Sequence, residues 1–204
     1  MHIAKSFISY RANQLIHISQ PAAEAYQEIK LAINNMVGQI NNSRKKINSV
    51  SPIKNGLVDL LHYQYGWETE HLIKALRDNI SAEEGSRRRG IGGGIDIYKE
   101  FMYQEYAFSV GIEFETGNIA SVHRSLNKLS LGYKANELDM IVLVLPTYNL
   151  AQYLTDRCAN YEEIETYFSL YEEEAFIALG FEADDYSPEY PIFEKGNDGN
   201  HFVL

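Results

Sequence analysis

Residues 140–146, Met-Ile-Val-Leu-Val-Leu-Pro, constrain the fold more than any other stretch of the chain. Consecutive apolar side chains leave no face for water, and the proline closes the run at strand length. A strand of this kind is buried on both faces, so it lies inside a sheet with a layer on each side. The remaining sequence supplies the layers. Residues 21–37 carry Ala25, Ile29, Ile33, Met36 and Val37 at helical spacing, with Ser19 as cap. Leu57, Leu60 and Leu61 predict a second helix ending near Gly66. Asn118 is placed to cap a helix whose buried stripe is Ile119, Val122, Leu126 and Leu129, closed by Gly132. Residues 150–154 and 161–168 read as short helices. Strands are expected at 95–98, 108–115 and 175–181, the first two paired as a hairpin. Residues 41–55 and 81–94 are polar, basic or glycine-rich and read as loops. The class is α/β (α+β): a central mixed β-sheet flanked by helices on both sides. One domain is expected over 1–204, with 182–204 as a surface loop or tail.

A chain of 204 residues can bury a sizeable core. No apolar run approaches the ~18 residues of a membrane span, so no membrane partner is expected. The opening MHIAKSFISYRANQLIHIS lacks the charged, apolar and small-residue succession of a secretion signal. Cys158 is the single cysteine, which excludes an intrachain disulfide and fits a reducing, cytoplasmic home; its simplest role is a small apolar filler. The formal charge of −10 argues against a protein that coats nucleic acid indiscriminately. It does not exclude an enzyme acting on DNA, because acidic clusters can be metal sites.

The stretch "GIEFETGN", 111–118, raises the chemical question. In a strand, Phe108, Val110, Ile112 and Phe114 share one face, while Ser109, Gly111, Glu113 and Glu115 share the other. Neighbouring like charges repel. Either that face is open to water, or a cation sits between the glutamates. With Asp96 on the neighbouring strand, three carboxylates converge near a hairpin, a set that suits a hard, oxygen-seeking ion such as Mg²⁺. Such ions lower the pKa of bound water and offset charge on a phosphoryl oxygen. An Asp followed by Glu-x-Glu/Lys on a hairpin is the shape of a metal-dependent nuclease site, although a solvated acidic strand has the same pattern.

Other motifs nominate less. RRRGIGGG, 87–94, is no phosphate loop: no Lys-Ser/Thr follows, and it precedes a strand rather than a helix. It reads as a loop whose arginines can touch phosphates without reading sequence. The six histidines are scattered, with no pair at zinc-ligand spacing. No Gly-x-Ser-x-Gly elbow offers an acyl-transfer nucleophile.

"IDIYKEF" (95–101), "VGIEFETGNIASVHRSLNKLSLG" (110–132), "YLTDRCANYEEIETYF" (153–168) and "KGNDG" (195–199) resemble, in order and spacing, the BamHI family of restriction endonucleases. The similarity runs over much of 52–199. It implies the PD-(D/E)xK fold and a homodimer that cuts both strands of palindromic double-stranded DNA. The products would carry 5′ overhangs with 5′-phosphate and 3′-hydroxyl ends, and the implied site is GGATCC or a GATC-centred relative. A companion DNA methyltransferase is implied in function, though not as a bound partner.

By that resemblance Asp96 and Glu113 hold two Mg²⁺ ions, Glu115 is the general base, and Glu70 in "WETE" is a further acidic residue of the metal site. Asn118, Arg124, the pair Asp156-Arg157 and Lys54 match DNA-contacting positions. An arginine can grip guanine O6 and N7 while an aspartate accepts from cytosine N4. Each also has a plainer role: a helix cap for Asn118, a solvated helix residue for Arg124, a local ion pair for Asp156-Arg157. Ala120 stands where the family prototype has a contacting serine, which implies a relaxed outer base pair. The basic helix that follows KG-x-DG in the prototype has no counterpart here. The alternatives are a nuclease of the same fold with a different specificity, and a catalytically idle DNA-binding module.

Overall fold

The computed structural model describes residues 1–36, 50–77, 93–154, 158–184, 194–195 and 201–202. The apolar run is β5 (Met140–Pro146), buried along its whole length. It lies between β4 (Tyr106–Phe114) and β6 (Phe176–Glu182), parallel to both. Next to β4 comes β3 (Ile95–Tyr103), then β2 (Glu68–His71) at one edge; β1 (His2–Ile8) pairs with β6 at the other. The order in this six-stranded sheet is β1-β6-β5-β4-β3-β2, with every pairing outside the central three antiparallel. The mixed sheet expected from the sequence is what forms.

The period of two in β5 divides the protein into two cores. Met140, Val142 and Val144 point into one, Ile141, Leu143 and Leu145 into the other. The first core is covered by α1 (Tyr10–Ile18), α2 (Gln20–Asn35) and α3 (Val50–Asp59), whose last turn widens into a π-turn over Leu60–Gln64. Ser19 caps α2 as expected, and Ser9 caps α1. The second core is covered by α5 (Ile119–Lys134) and α7 (Tyr161–Ile164), the latter continuing as a 3₁₀ turn over Glu165–Tyr171. Short α4 (Lys74–Arg77) precedes β3, and α6 (Tyr148–Ala151) follows β5. Each fully buried Val, Leu or Ile is worth about 1.5–3 kcal/mol, so the two apolar sheet faces supply most of the driving force.

Several expectations need correction. The loop assigned to 41–55 gives way to α3 by residue 50, so Lys54 is on a helix; 41–49 lie outside the described residues. Most of 81–94 also lies outside them. Gly132 does not stop α5. It sits inside the helix, where a Cβ would stand 2.7 Å from Leu138 Cδ1, and it serves close packing. The hairpin strands run longer than expected because β3 and β4 continue past their buried halves to a turn at 104–105. In the tail, β7 (Glu194–Lys195) and β8 (His201–Phe202) pair as a small antiparallel ladder.

A buried polar tie fixes α2 to β3. Lys99 Nζ reaches Glu28 Oε2 at 2.9 Å and donates to the Tyr65 carbonyl at 2.8 Å, while Trp67 Nε1 donates to the same glutamate oxygen at 2.7 Å. Across the sheet, Phe168 meets Phe7, Tyr161 and Phe176 with ring centroids 5.2–5.5 Å apart. Phe168→Ala is expected to cost about 3–5 kcal/mol in urea unfolding; a loss below about 1 kcal/mol would show that this cluster does not anchor the 3₁₀ segment.

Candidate active site

The β3–β4 register begins at Ile97 opposite Ile112. Asp96 and Glu113 stand one position beyond that pair, facing one another across the mouth of the hairpin. Each carboxylate is bonded to the other strand. The Asp96 N–H donates to Glu113 Oε1 at 3.2 Å, and the Phe114 N–H donates to Asp96 Oδ2 at 3.1 Å. Strand alternation also breaks here: Ile95 packs in the second core and Ile97 in the first. The break turns the Asp96 side chain toward β4.

Glu113 is 2% exposed, which removes the solvated-strand reading for this residue. Lys128 of α5 lies 2.6 Å from Glu113 Oε1, and its side chain is only 9% exposed. The same ammonium donates to the Gly94 carbonyl at 2.5 Å. Ser125 Oγ lies 2.9 Å from Glu113 Oε2 and 3.4 Å from Glu115 Oε1, so its one proton serves either carboxylate. Burial and the charge of Asp96 push Glu113 up to about 7, while Lys128 and Ser125 pull the other way.

Glu115 follows the end of β4, its N–H bonded to the Val144 carbonyl at 2.9 Å. Burial, then Asp96, raises this carboxyl above the ordinary range; Lys54, Ser125 and Arg124 oppose the rise. Its Oε2 is buried with no hydrogen-bond partner among the described residues. Lys54 reaches Asp96 Oδ1 at 2.9 Å, with side chains 37% and 12% exposed. Burial disfavours the Lys54 charge, but Asp96, with Glu70 and Glu113 behind it, outweighs burial and raises its pKa.

Glu70 is at the β2 edge in the left-handed region, φ 54°. A non-glycine residue is rare there and costs on the order of 1–3 kcal/mol. The main chain of Gly94 presses on it: a Cβ on Gly94 would stand 2.5 Å from the Glu70 carbonyl oxygen. Asp96, Glu113, Glu115 and Lys54 therefore meet in one cluster, with Glu70 at its margin through its charge on Lys54.

Asn118 caps α5, its Oδ1 accepting from the Ser121 N–H at 3.0 Å. That leaves the amide protons free of the cap. Arg124 and Ala120 are exposed on the same helix, Arg124 close enough to bear on Glu115. Asp156 and Arg157 lie outside the described residues. The nearby Ala159 N–H is bonded to the Gly117 carbonyl at 2.8 Å, next to Asn118. Lys128 and Ser125 were not nominated from sequence. The signal was present: Ser125 falls within the stripe Val122, Leu126, Leu129, and a polar group on a buried face demands a partner.

Among the described residues, no three carboxylate or imidazole groups stand ready to enclose an ion. The chemistry of the set still fits a small hard dication. All donors are oxygens, Glu115 Oε2 is an orphan, and Lys54 is exposed enough to leave Asp96.

The model of the family "Restriction endonuclease BamHI" matches residues 1–200. The chain belongs to the BamHI family of restriction endonucleases. That membership makes it an enzyme, a type II site-specific deoxyribonuclease. It is 40% identical over 206 residues to the type II restriction enzyme BamHI of Bacillus amyloliquefaciens, covering 98% of this chain and 92% of that protein. It is 35% identical over 163 residues to the type II restriction enzyme OkrAI of Oceanobacter kriegii, covering 78% and 76%. In fold it resembles restriction endonuclease BglII in its crystal structure with a DNA 16-mer, with TM-score 0.60 over 92% of this chain and 81% of that one. At 14% identity that likeness speaks for the PD-(D/E)xK fold alone.

The raised Glu113 pKa has a signed consequence for the metal-free BamHI-family chain. Its contribution to stability is full below the ordinary carboxylate pKa of 4.5 and is lost as pH rises to about 7. Thermal unfolding in EDTA should therefore show stability falling as pH rises from 4.5 to about 7, with a shallower fall in Glu113→Gln. An unchanged slope in Glu113→Gln would place the titration elsewhere.

Proposed function

We propose that the chain is a Mg²⁺-dependent restriction endonuclease cutting palindromic double-stranded DNA, GGATCC or a GATC-centred relative, to leave 5′ overhangs with 5′-phosphate and 3′-hydroxyl ends. The observation that carries this reading is the burial of Glu113 opposite Asp96, with the half-buried Glu115 two residues on and the cap of α5 beside it. A carboxylate pair at a strand end, next to an exposed helix start, joins a place for phosphodiester chemistry to a surface that can meet DNA.

In this reading Asp96, Glu113 and Glu70 are the residues that hold Mg²⁺, two ions per site. When bound, the metal neutralises phosphoryl charge and eases deprotonation of water. Glu115 is the general base. Burial and Asp96 hold its carboxyl above the ordinary range, which makes the ionised form a stronger proton acceptor. Lys54, once off Asp96, contacts DNA together with Asn118, Arg124, Asp156 and Arg157. The amide of Asn118 can donate to a base edge while its oxygen holds the cap. A palindrome calls for two-fold symmetry. The homodimer is proposed to pack α5 and the 160–168 segment, where Leu131 and Tyr167 are exposed and Leu170 follows. The chain is read as one cytoplasmic domain acting beside a DNA methyltransferase. No helix among the described residues is long and apolar enough to cross a membrane.

Plasmid digestion with Mg²⁺, followed by mapping of the fragment ends, tests the reading. Defined fragments with GATC-centred overhangs support it. Random nicking would instead indicate a nuclease of another specificity, and retained binding without cleavage an idle module. Glu115→Ala should lower the cleavage rate by about 10²–10⁴-fold while binding persists; normal cutting would remove it as the base. Arg157→Ala should cost ~1–3 kcal/mol at the specific site before non-specific affinity suffers. A uniform loss across sequences would demote it to a phosphate contact.

A further inference from the structure

Lys128 is absent from the reaction scheme above, yet it is the most buried cation in contact with the site. Its ammonium joins three parts of the fold. It extends from α5, lies 2.6 Å from Glu113 Oε1 at the end of β4, and donates to the Gly94 carbonyl just before β3. Gly94 is in turn packed on the Glu70 carbonyl, so close that a Cβ would overlap it at 2.5 Å. A lysine has three donors in fixed tetrahedral directions. Two acceptors from separate elements therefore hold it, and it holds them.

We propose that Lys128 is a positioning residue for the metal site: through one ammonium it fixes the Glu113 carboxylate and holds the Gly94 main chain against Glu70. This rests on the reading of Glu113 and Glu70 as ligands. The orientation has a geometric logic. With Oε1 on Lys128 and the Asp96 N–H, the Glu113 carboxylate cannot spin, and Oε2 is left on the side of Ser125 and Glu115. Donors bonded to a ligand's own oxygens orient it, and removing them typically costs 10–100-fold in metal affinity. The opposite effect is also physically available, since a nearby positive charge repels a dication. The measurement decides between orientation and repulsion.

The test is a Mn²⁺ titration of the full chain without DNA, following free Mn²⁺ by paramagnetic resonance, with cooperative unfolding checked for each variant. Lys128→Met should bind Mn²⁺ at least tenfold more weakly. Lys128→Arg, which can still donate to a carboxylate and a carbonyl together, should recover to within about threefold of wild type. Wild-type or tighter binding by a folded Lys128→Met overturns the proposal. Should that variant not fold, Gly94→Ala replaces it: the new Cβ displaces the Glu70–Gly94 contact with Lys128 intact, and wild-type affinity there overturns the clamp. Glu113→Gln separates the two readings. If it leaves wild-type Mn²⁺ binding untouched, the metal site itself is wrong and Lys128 falls with it. If it abolishes binding while Lys128→Met does not, only the role of Lys128 is lost.

Discussion

Burial of the Glu113 carboxylate is the interaction around which the site is organised. A charge at 2% exposure survives only with counter-charge and hydrogen bonds. Lys128, Ser125 and the Asp96 N–H supply them from three elements. The arrangement is a poor source of stability, because apolar residues of similar volume in place of a buried ion pair are often neutral or stabilising. The pair therefore makes physical sense as a way of holding an oxygen donor in one orientation. The same burial leaves Glu113 and Glu115 above the ordinary carboxylate range, where protons and dications compete for them.

The sheet brings this group next to the exposed start of α5. β4 is internal, flanked by β3 and β5, and its end leads through residues 115–118 directly into α5. Within six positions the chain passes from buried Glu113 to exposed Asn118. The cap bond from Ser121 fixes the Asn118 side chain, so the start of the helix and the carboxylates share one rigid frame. Under the proposed function this short path would couple where the duplex docks to where it is cut.

The parts of this architecture that follow a period were legible in the sequence. β5 was set by its uninterrupted apolar run, and the hairpin by the alternation through Phe108–Phe114. α2 followed from its cap and stripe, and α5 from its cap and from Val122, Leu126 and Leu129, whereas Ile119, expected in the same stripe, is exposed on the first turn before the helix packs on the sheet. Edge elements were not. β1 alternates exposed with half-buried residues, β2 spans four mostly exposed residues with Glu70 at positive φ, and α1 buries only Ala12 fully. Such elements are defined by what they pack against, which no local pattern records. For the same reason Asp96, Glu113 and Glu115 could be nominated as a set, while Lys128 could not. A lysine in a helix reads as solvated until its i−3 neighbour, Ser125, is known to face a buried carboxylate. Lys54 was expected to contact DNA, and its ion pair with Asp96 depends on α3 crossing the hairpin mouth, a tertiary fact.

The charge balance at the site finally explains how an acidic chain can act on a polyanion. Four acidic groups, Asp96, Glu113, Glu115 and Glu70, face the ammonium groups of Lys54 and Lys128. Even with Glu113 and Glu115 above the ordinary carboxylate range, the site offers phosphate no net positive charge. A DNA strand placed there would find no net attraction, and the formal −10 of the whole chain would repel it at low salt. Under the proposed function dications would reverse the local sign, without needing a basic protein surface. The two lysines then part company. Lys128 is enclosed and bonded on two sides, so it stays. Lys54 is more than a third exposed and held by a single carboxylate oxygen, which a metal would claim. In the proposed function its freed ammonium would stand at the hairpin mouth, where a positive charge favours a phosphate backbone. Under the proposed function, metal binding and DNA binding would be linked through one side chain, and the site would attract phosphate only when it is also equipped to cut.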